Sequence, residues 1–226
     1  TTRHHQTGGV VAQPAQRGGG LAHQCERVCA IGAGQVAEAF HGVHERNLRD
    51  GMGLDLTCAL PLSLVASNVA LDITLTTIGG ETRPLGEWVT TFHLASVVLD
   101  PYTNESSWVL NTAARVLEAF RDSAVRVNLI LTCTGDEAKQ FLGPLADRFL
   151  VFCDPDRTFV RGLGLGTLPA FVFVQADGTV VATAEGWNPS EWRAVAKSIA
   201  DTTAWKAPTI PAASDPSPFH GTPALG

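Results

Sequence analysis

Between residues 69 and 199, short apolar runs alternate with stretches of helical period, and this alternation constrains the fold more than any other feature of the chain. Residues 69–76 (Val-Ala-Leu-Asp-Ile-Thr-Leu-Thr) alternate apolar and polar positions, the pattern of a half-buried strand, and Gly79-Gly80 then turns the chain. Residues 82–89 read as a turn leading into one helical turn, and 94–99 (Leu-Ala-Ser-Val-Val-Leu) as a buried strand ended by Asp100-Pro101. A long helix is expected over 106–121, where Val109, Leu110, Ala113, Val116, Leu117 and Phe120 share one face. Strands follow at 125–131 and 149–152, separated by a helix over 136–149 that contains Gly143-Pro144, and 154–164 reads as a brief helix. Residues 170–174 and 179–184 form a hairpin across Ala176-Asp177-Gly178, and a helix over 190–199 closes the pattern.

Strands interleaved with helices in this way imply an α/β fold, a mixed sheet covered by helices on both faces in three layers. The compact domain is expected over 69–206. Residues 207–226 hold five of the thirteen Pro and no apolar period, so this Pro-rich tail is expected to be disordered or to lie on the surface.

The amino-terminal part has a different character. Residues 1–51 contain no Lys, nine Gly and one aromatic side chain, Phe40, too little to build a core. The single Met, at position 52, separates this leader from a linker at 52–68, and it is a candidate initiation site that would make 1–51 a non-native extension. Within the leader, 1–33 reads as disordered and 35–48 as one short amphipathic helix. Cys25, Cys29, His41 and His44 approximate a zinc site, but the His pair is one residue too close and no finger core surrounds it, so no metal is expected.

Sixteen basic against twenty-two acidic side chains, without a long basic run, argue against a nucleic-acid partner. No apolar run approaches the roughly 20 residues needed to span a bilayer. An odd number of Cys, five, fits a reduced cytoplasm better than a disulfide framework, and no signal-peptide pattern opens the chain. Oligomeric state is left open.

Residues 151–181, Val-Phe-Cys-Asp-Pro-Asp-Arg-Thr-Phe-Val-Arg-Gly-Leu-Gly-Leu-Gly-Thr-Leu-Pro-Ala-Phe-Val-Phe-Val-Gln-Ala-Asp-Gly-Thr-Val, resemble the second half of a thioredoxin-fold protein. The likeness is to the branch holding the TlpA-type thiol-disulfide reductases and the alkyl hydroperoxide reductase/thiol-specific antioxidant proteins. It rests on an Asp-Pro-Asp start, a short helix ending in Gly, a Gly-Thr-Leu-Pro loop, a strand, an Asp-Gly hairpin and a final helix, and it extends over about 69–199. The resemblance places Pro169 on the family's cis-proline, beside a backbone at Leu168 that pairs with an extended peptide, and it implies no cofactor.

The resemblance also places the reactive thiols at the start of the helix that follows strand 94–99, where a helix N-terminus lowers a thiol's pKa. In this chain the loop reads Asp100-Pro-Tyr-Thr-Asn-Glu-Ser-Ser-Trp108 and has no Cys. Asn104, Glu105, Ser106 and Ser107 lie over the family's Cys-x-x-Cys; read as the peroxidase pattern Thr-x-x-Cys, Thr103 is followed by Ser106 in place of the thiol. A hydroxyl is scarcely ionised near neutral pH and forms no disulfide, so the loop is degenerate and reads as a helix N-cap region. Cys133 and Cys153 end two strands at the sheet edge where active sites gather, which makes them the candidate thiols of an alternative redox pair, although neither sits at an expected helix start.

Gly162-Leu-Gly-Leu-Gly166 precedes a strand and not a helix, so it offers no phosphate site. Trp88, Trp108 and Trp187 are expected in core or boundary packing, with an aromatic peptide groove as the other possibility. Together these readings point to a cytoplasmic thioredoxin-like protein without the dithiol, which binds an extended peptide or small ligand near Leu168, Pro169 and the 100–107 loop. The alternatives are an oxidoreductase or antioxidant enzyme using Cys133 or Cys153, and a purely structural interaction module.

Overall fold

The computed structural model describes residues 67–226. The expected leader, its 35–48 helix, Met52, the zinc-like spacing and nearly all of the linker lie outside the described residues.

In chain order the elements are β1 (Ser67–Asn68), β2 (Thr74–Thr77), β3 (Thr82–Pro84), α1 (Leu85–Trp88), β4 (His93–Leu99), α2 (Asn104–Glu118), β5 (Val125–Leu131) and α3 (Gly135–Leu142). A 3-10 turn at Gly143–Asp147 follows, then β6 (Leu150–Cys153), α4 (Thr158–Gly162), β7 (Thr167–Leu168), β8 (Ala170–Val174), β9 (Thr179–Glu185), α5 (Pro189–Thr203) and β10 (Thr222–Pro223).

Eight strands form one mixed sheet in the order β1-β9-β8-β4-β5-β6-β2-β3. The central β4, β5 and β6 are parallel, with Leu99 opposite Leu131 and Leu131 opposite Cys153. β8 and β2 run antiparallel to this core on its two sides. Because side chains alternate along a strand, β4 sends Ala95, Val97 and Leu99 to one face and Leu94 and Val98 to the other. The first face packs against α2, α3 and α5, and the second against α1 and α4. The expected three layers are present, and burial on both faces explains why β4 and β8 read as continuous apolar runs.

Three expectations are corrected. The strand read at 69–76 is shorter: Ile73 N–H donates to the Ala70 carbonyl in a turn, so pairing begins only at Thr74. Alternation alone carries no record of that turn. The helix read over 136–149 stops at Leu142, because Gly143 takes φ 53° and Pro144 has no N–H to continue the ladder.

The third correction concerns 207–226, whose disorder was one expectation. The segment follows a fixed course over the surface. Ile210 is buried, and its carbonyl accepts from Arg193 Nε at 2.8 Å. Asp215 pairs with Arg115 at 2.7 Å and accepts from Thr112 Oγ1 at 2.9 Å, both residues of α2. Beyond these anchors, β10 pairs antiparallel with β7. The segment is held by isolated residues, Ile210, Asp215 and Ala224, a pattern with no period.

Candidate functional site

The loop after β4 enters α2 through a closed ring of hydrogen bonds. Asp100 N–H donates to Ser106 Oγ at 2.9 Å, and Thr103 Oγ1 donates to the Asp100 carbonyl at 2.9 Å. The two hydroxyl oxygens are 3.1 Å apart. The Thr103 hydroxyl has one proton and two acceptors in reach, the Asp100 carbonyl and Ser106 Oγ. Ser106 is fully buried, and its hydroxyl oxygen accepts from the Asp100 N–H and faces the Thr103 hydroxyl, which holds the loop. This is a positioning role for Ser106, with no free hydroxyl aimed at solvent. Asn104 and Ser107 are exposed, Glu105 is half-buried in the first turn of α2, and the aromatic side chains of Tyr102 and Trp108 are both exposed.

Asp100 is buried, and its carboxylate is committed on both oxygens. Oδ1 accepts from the Tyr102 N–H at 3.1 Å and Oδ2 from Arg157 at 2.7 Å. Arg157 reaches it from the turn between β6 and α4, where it takes φ 55°. That turn is fixed by the buried Asp154, whose two oxygens accept from Thr158 N–H at 2.8 Å and Val160 N–H at 3.0 Å. The second terminal nitrogen of Arg157 donates to the carbonyl of Ala224, next to β10. One guanidinium fork thus ties the loop to the segment after α5.

Leu168 and Pro169 are buried, and the peptide bond between them is cis. The outer edge of β7 is occupied by the chain itself: Thr222 lies opposite Leu168 and Pro223 opposite Thr167, and Ala224 N–H donates to the Gly166 carbonyl at 2.9 Å. Upstream, Trp187 and Phe219 exchange backbone hydrogen bonds, and Trp187 Nε1 donates to the Pro216 carbonyl at 2.8 Å. The Trp108 ring meets Phe219 edge-on, with centroids 5.5 Å apart. Trp108 and Trp187 thus line the course of this segment, whereas Trp88 packs with Phe152 in the core on the other face of the sheet. Periodicity gave no sign of the strand at Thr222–Pro223; the one signal available was a lone aromatic, Phe219, in an otherwise polar, Pro-rich stretch.

Cys133 and Cys153 lie at the carboxyl ends of β5 and β6, the same sheet edge as the loop. Both thiols are free and buried in the apolar core. Burial, reinforced by the neighbouring Cys153, pushes the Cys133 thiol up to about 12, and burial also raises Cys153 against the opposing pull of Lys139. A thiol so held stays protonated at neutral pH and is a poor nucleophile.

Solved structures with the same architecture include a hypothetical protein from Sinorhizobium meliloti, at 14% identity and TM-score 0.53 over 71% of this chain and 93% of that one. A Cys-to-Ser mutant of Xanthomonas campestris peroxiredoxin Q matches at 13% identity and TM-score 0.50 over 62% of this chain and 97% of that one. A secreted Mycobacterium tuberculosis disulfide oxidoreductase homologous to DsbE of E. coli matches at 21% identity and TM-score 0.44 over 52% and 86%. No protein-family model matches the chain, and no curated protein does so. What the structural likenesses establish, together with the strand order and the two helical layers, is that this chain contains a thioredoxin fold.

Proposed function

We propose that the domain is a peptide-binding member of the thioredoxin fold that works without dithiol or peroxidatic chemistry. The observation that carries this reading is the edge of β7, where Thr167–Leu168 holds an extended segment by backbone pairing beside a loop that contains no thiol. Adding a strand to a sheet edge supplies affinity through main-chain hydrogen bonds, and side-chain recesses supply selectivity. The exposed Trp108 ring, edge-on to Phe219, adds aromatic surface along the course of the segment. A protein or peptide partner and a cytoplasmic setting belong to the same proposal, the latter supported by the odd Cys count and by two free buried thiols.

The competing oxidoreductase reading depends on Cys133 or Cys153, and their burial and raised pKa disfavour it. Two measurements on the full chain decide between the readings. Insulin-reduction and peroxide-consumption assays are expected to stay at background; turnover abolished by Cys133→Ser or Cys153→Ser would overturn the proposal. A screen of extended peptides, read by NMR shifts at Thr167 and Leu168, is expected to yield binders.

A further inference from the structure

Side-chain fit along β10 also tells what kind of peptide this edge accepts. Resting on the proposal that β7 is a peptide site, we infer that residues 216–225 are a displaceable self-ligand. The groove takes extended segments carrying an aromatic residue, a glycine two positions later and a small apolar residue three positions after that.

Three positions are specified. Phe219 is fixed by paired backbone bonds to Trp187 and by the Trp108 ring. At Gly221 no side chain fits: a Cβ there would come 2.7 Å from the Leu168 carbonyl carbon, closer still to its oxygen, and 2.6 Å from Thr167 Cγ2. Ala224 is fully buried in the cluster that contains Leu168, with its N–H on Gly166 and its carbonyl on Arg157. His220, Pro223 and Leu225 are exposed and make no demand on sequence.

The attachment has the properties of a ligand more than of a core strand. β10 is two residues long, and Leu225 remains 52% exposed. The approach is moored separately, by Ile210 and by Asp215 on Arg115 and Thr112. The moored chain therefore keeps 216–225 at high local concentration when it leaves, on the order of millimolar for a short tether, and an outside peptide must compete with it.

The test uses a fluorescent peptide of residues 216–226 and the full chain as wild type, Gly221→Val and Phe219→Ser. Each variant dislodges the segment at a different point. Amide exchange at Val172 reports an intact sheet, and at Ala224 and Phe219 a released segment. The variants are expected to bind the peptide at least about tenfold tighter than wild type, and a peptide carrying Val in place of Gly221 to bind none of them. In the unmodified chain, Ala224 and Phe219 amides are expected to exchange well before Val172. Equal exchange at these positions would make the segment a permanent strand and overturn the inference. A released variant that binds a Gly-free extended peptide equally well would overturn the inference and leave β7 as a peptide site. A released, folded variant that binds no peptide would overturn both.

Discussion

Trp187 and Phe219 face each other as a backbone pair, the N–H of each donating to the carbonyl of the other at 3.0 and 3.1 Å, although they belong to different segments of the chain. This pair leads the segment after α5 onto the β7 edge. Gly186, just before Trp187, takes φ 68°, and a Cβ there would come 2.9 Å from the Gly221 nitrogen. The two glycines allow two backbones to approach at a distance that side chains would forbid.

Arg157 joins the loop to that segment, and its loss should be felt on both sides. Arg157→Ala leaves the buried Asp100 carboxylate without its cation and Ala224 without its donor. The pair is largely shielded, with side chains 19% and 7% exposed, so a cost of about 2–4 kcal/mol is expected in urea unfolding. Arg157→Lys should recover only part of it, since an ammonium cannot span two acceptors with a rigid fork.

Ser106→Ala tests whether this hydroxyl is structural. The substitution leaves the Asp100 N–H and the Thr103 hydroxyl without their shared partner, and a loss of about 1–3 kcal/mol is expected. Insulin-reduction and peroxide-consumption rates should not change. A fall in any such rate, with stability intact, would mean that Ser106 serves chemistry.

Acid should loosen the segment through Asp215. Burial pushes its carboxyl up, but the Ala212 N–H, Arg115 and Thr112 outweigh that and hold it below the usual value of 3.8. A carboxylate depressed in the folded state contributes stability that is complete above its unfolded pKa and disappears as pH falls through the folded one. Stability and amide protection in 210–216 should therefore be level above about pH 5 and fall below about pH 4. Asp215→Asn should reduce that acid dependence, measured by thermal unfolding across the same range.

With Cys133 pushed up to about 12, fewer than about one thiol in ten thousand is ionised at pH 7.5. Alkylation by iodoacetamide, mapped by mass spectrometry, should leave Cys133 and Cys153 unmodified in the folded protein and label both in urea. Rapid labelling of either thiol in the native state would restore the redox alternative.

Much of the fold was legible because the information was local. The Ala176-Asp177-Gly178 turn, the apolar runs of β4 and β8 and the one-sided face of α2 each announce their conformation within a few residues. That the loop 100–108 contains no Cys is read directly from the sequence. The course of 207–226 was not, because Ile210, Asp215, Phe219 and Ala224 are isolated residues whose partners lie on α2, α5, Trp187 and β7, far away in sequence. The internal ring of Asp100, Thr103 and Ser106 was half legible: the N-cap composition marked a helix start, but the closure of the ring depends on how β4 delivers Asp100.

The two-residue strand at Thr222–Pro223 also bears on solubility. A strand edge whose N–H and carbonyl groups have lost their partners is adhesive toward other chains, and proteins commonly mask such edges. Release of β10 from β7, the event proposed above, would bare the edge at Thr167–Leu168 and invite self-association unless another strand took its place. On the proposed reading, the residues that select a peptide would also be the ones that mask this edge from a second copy.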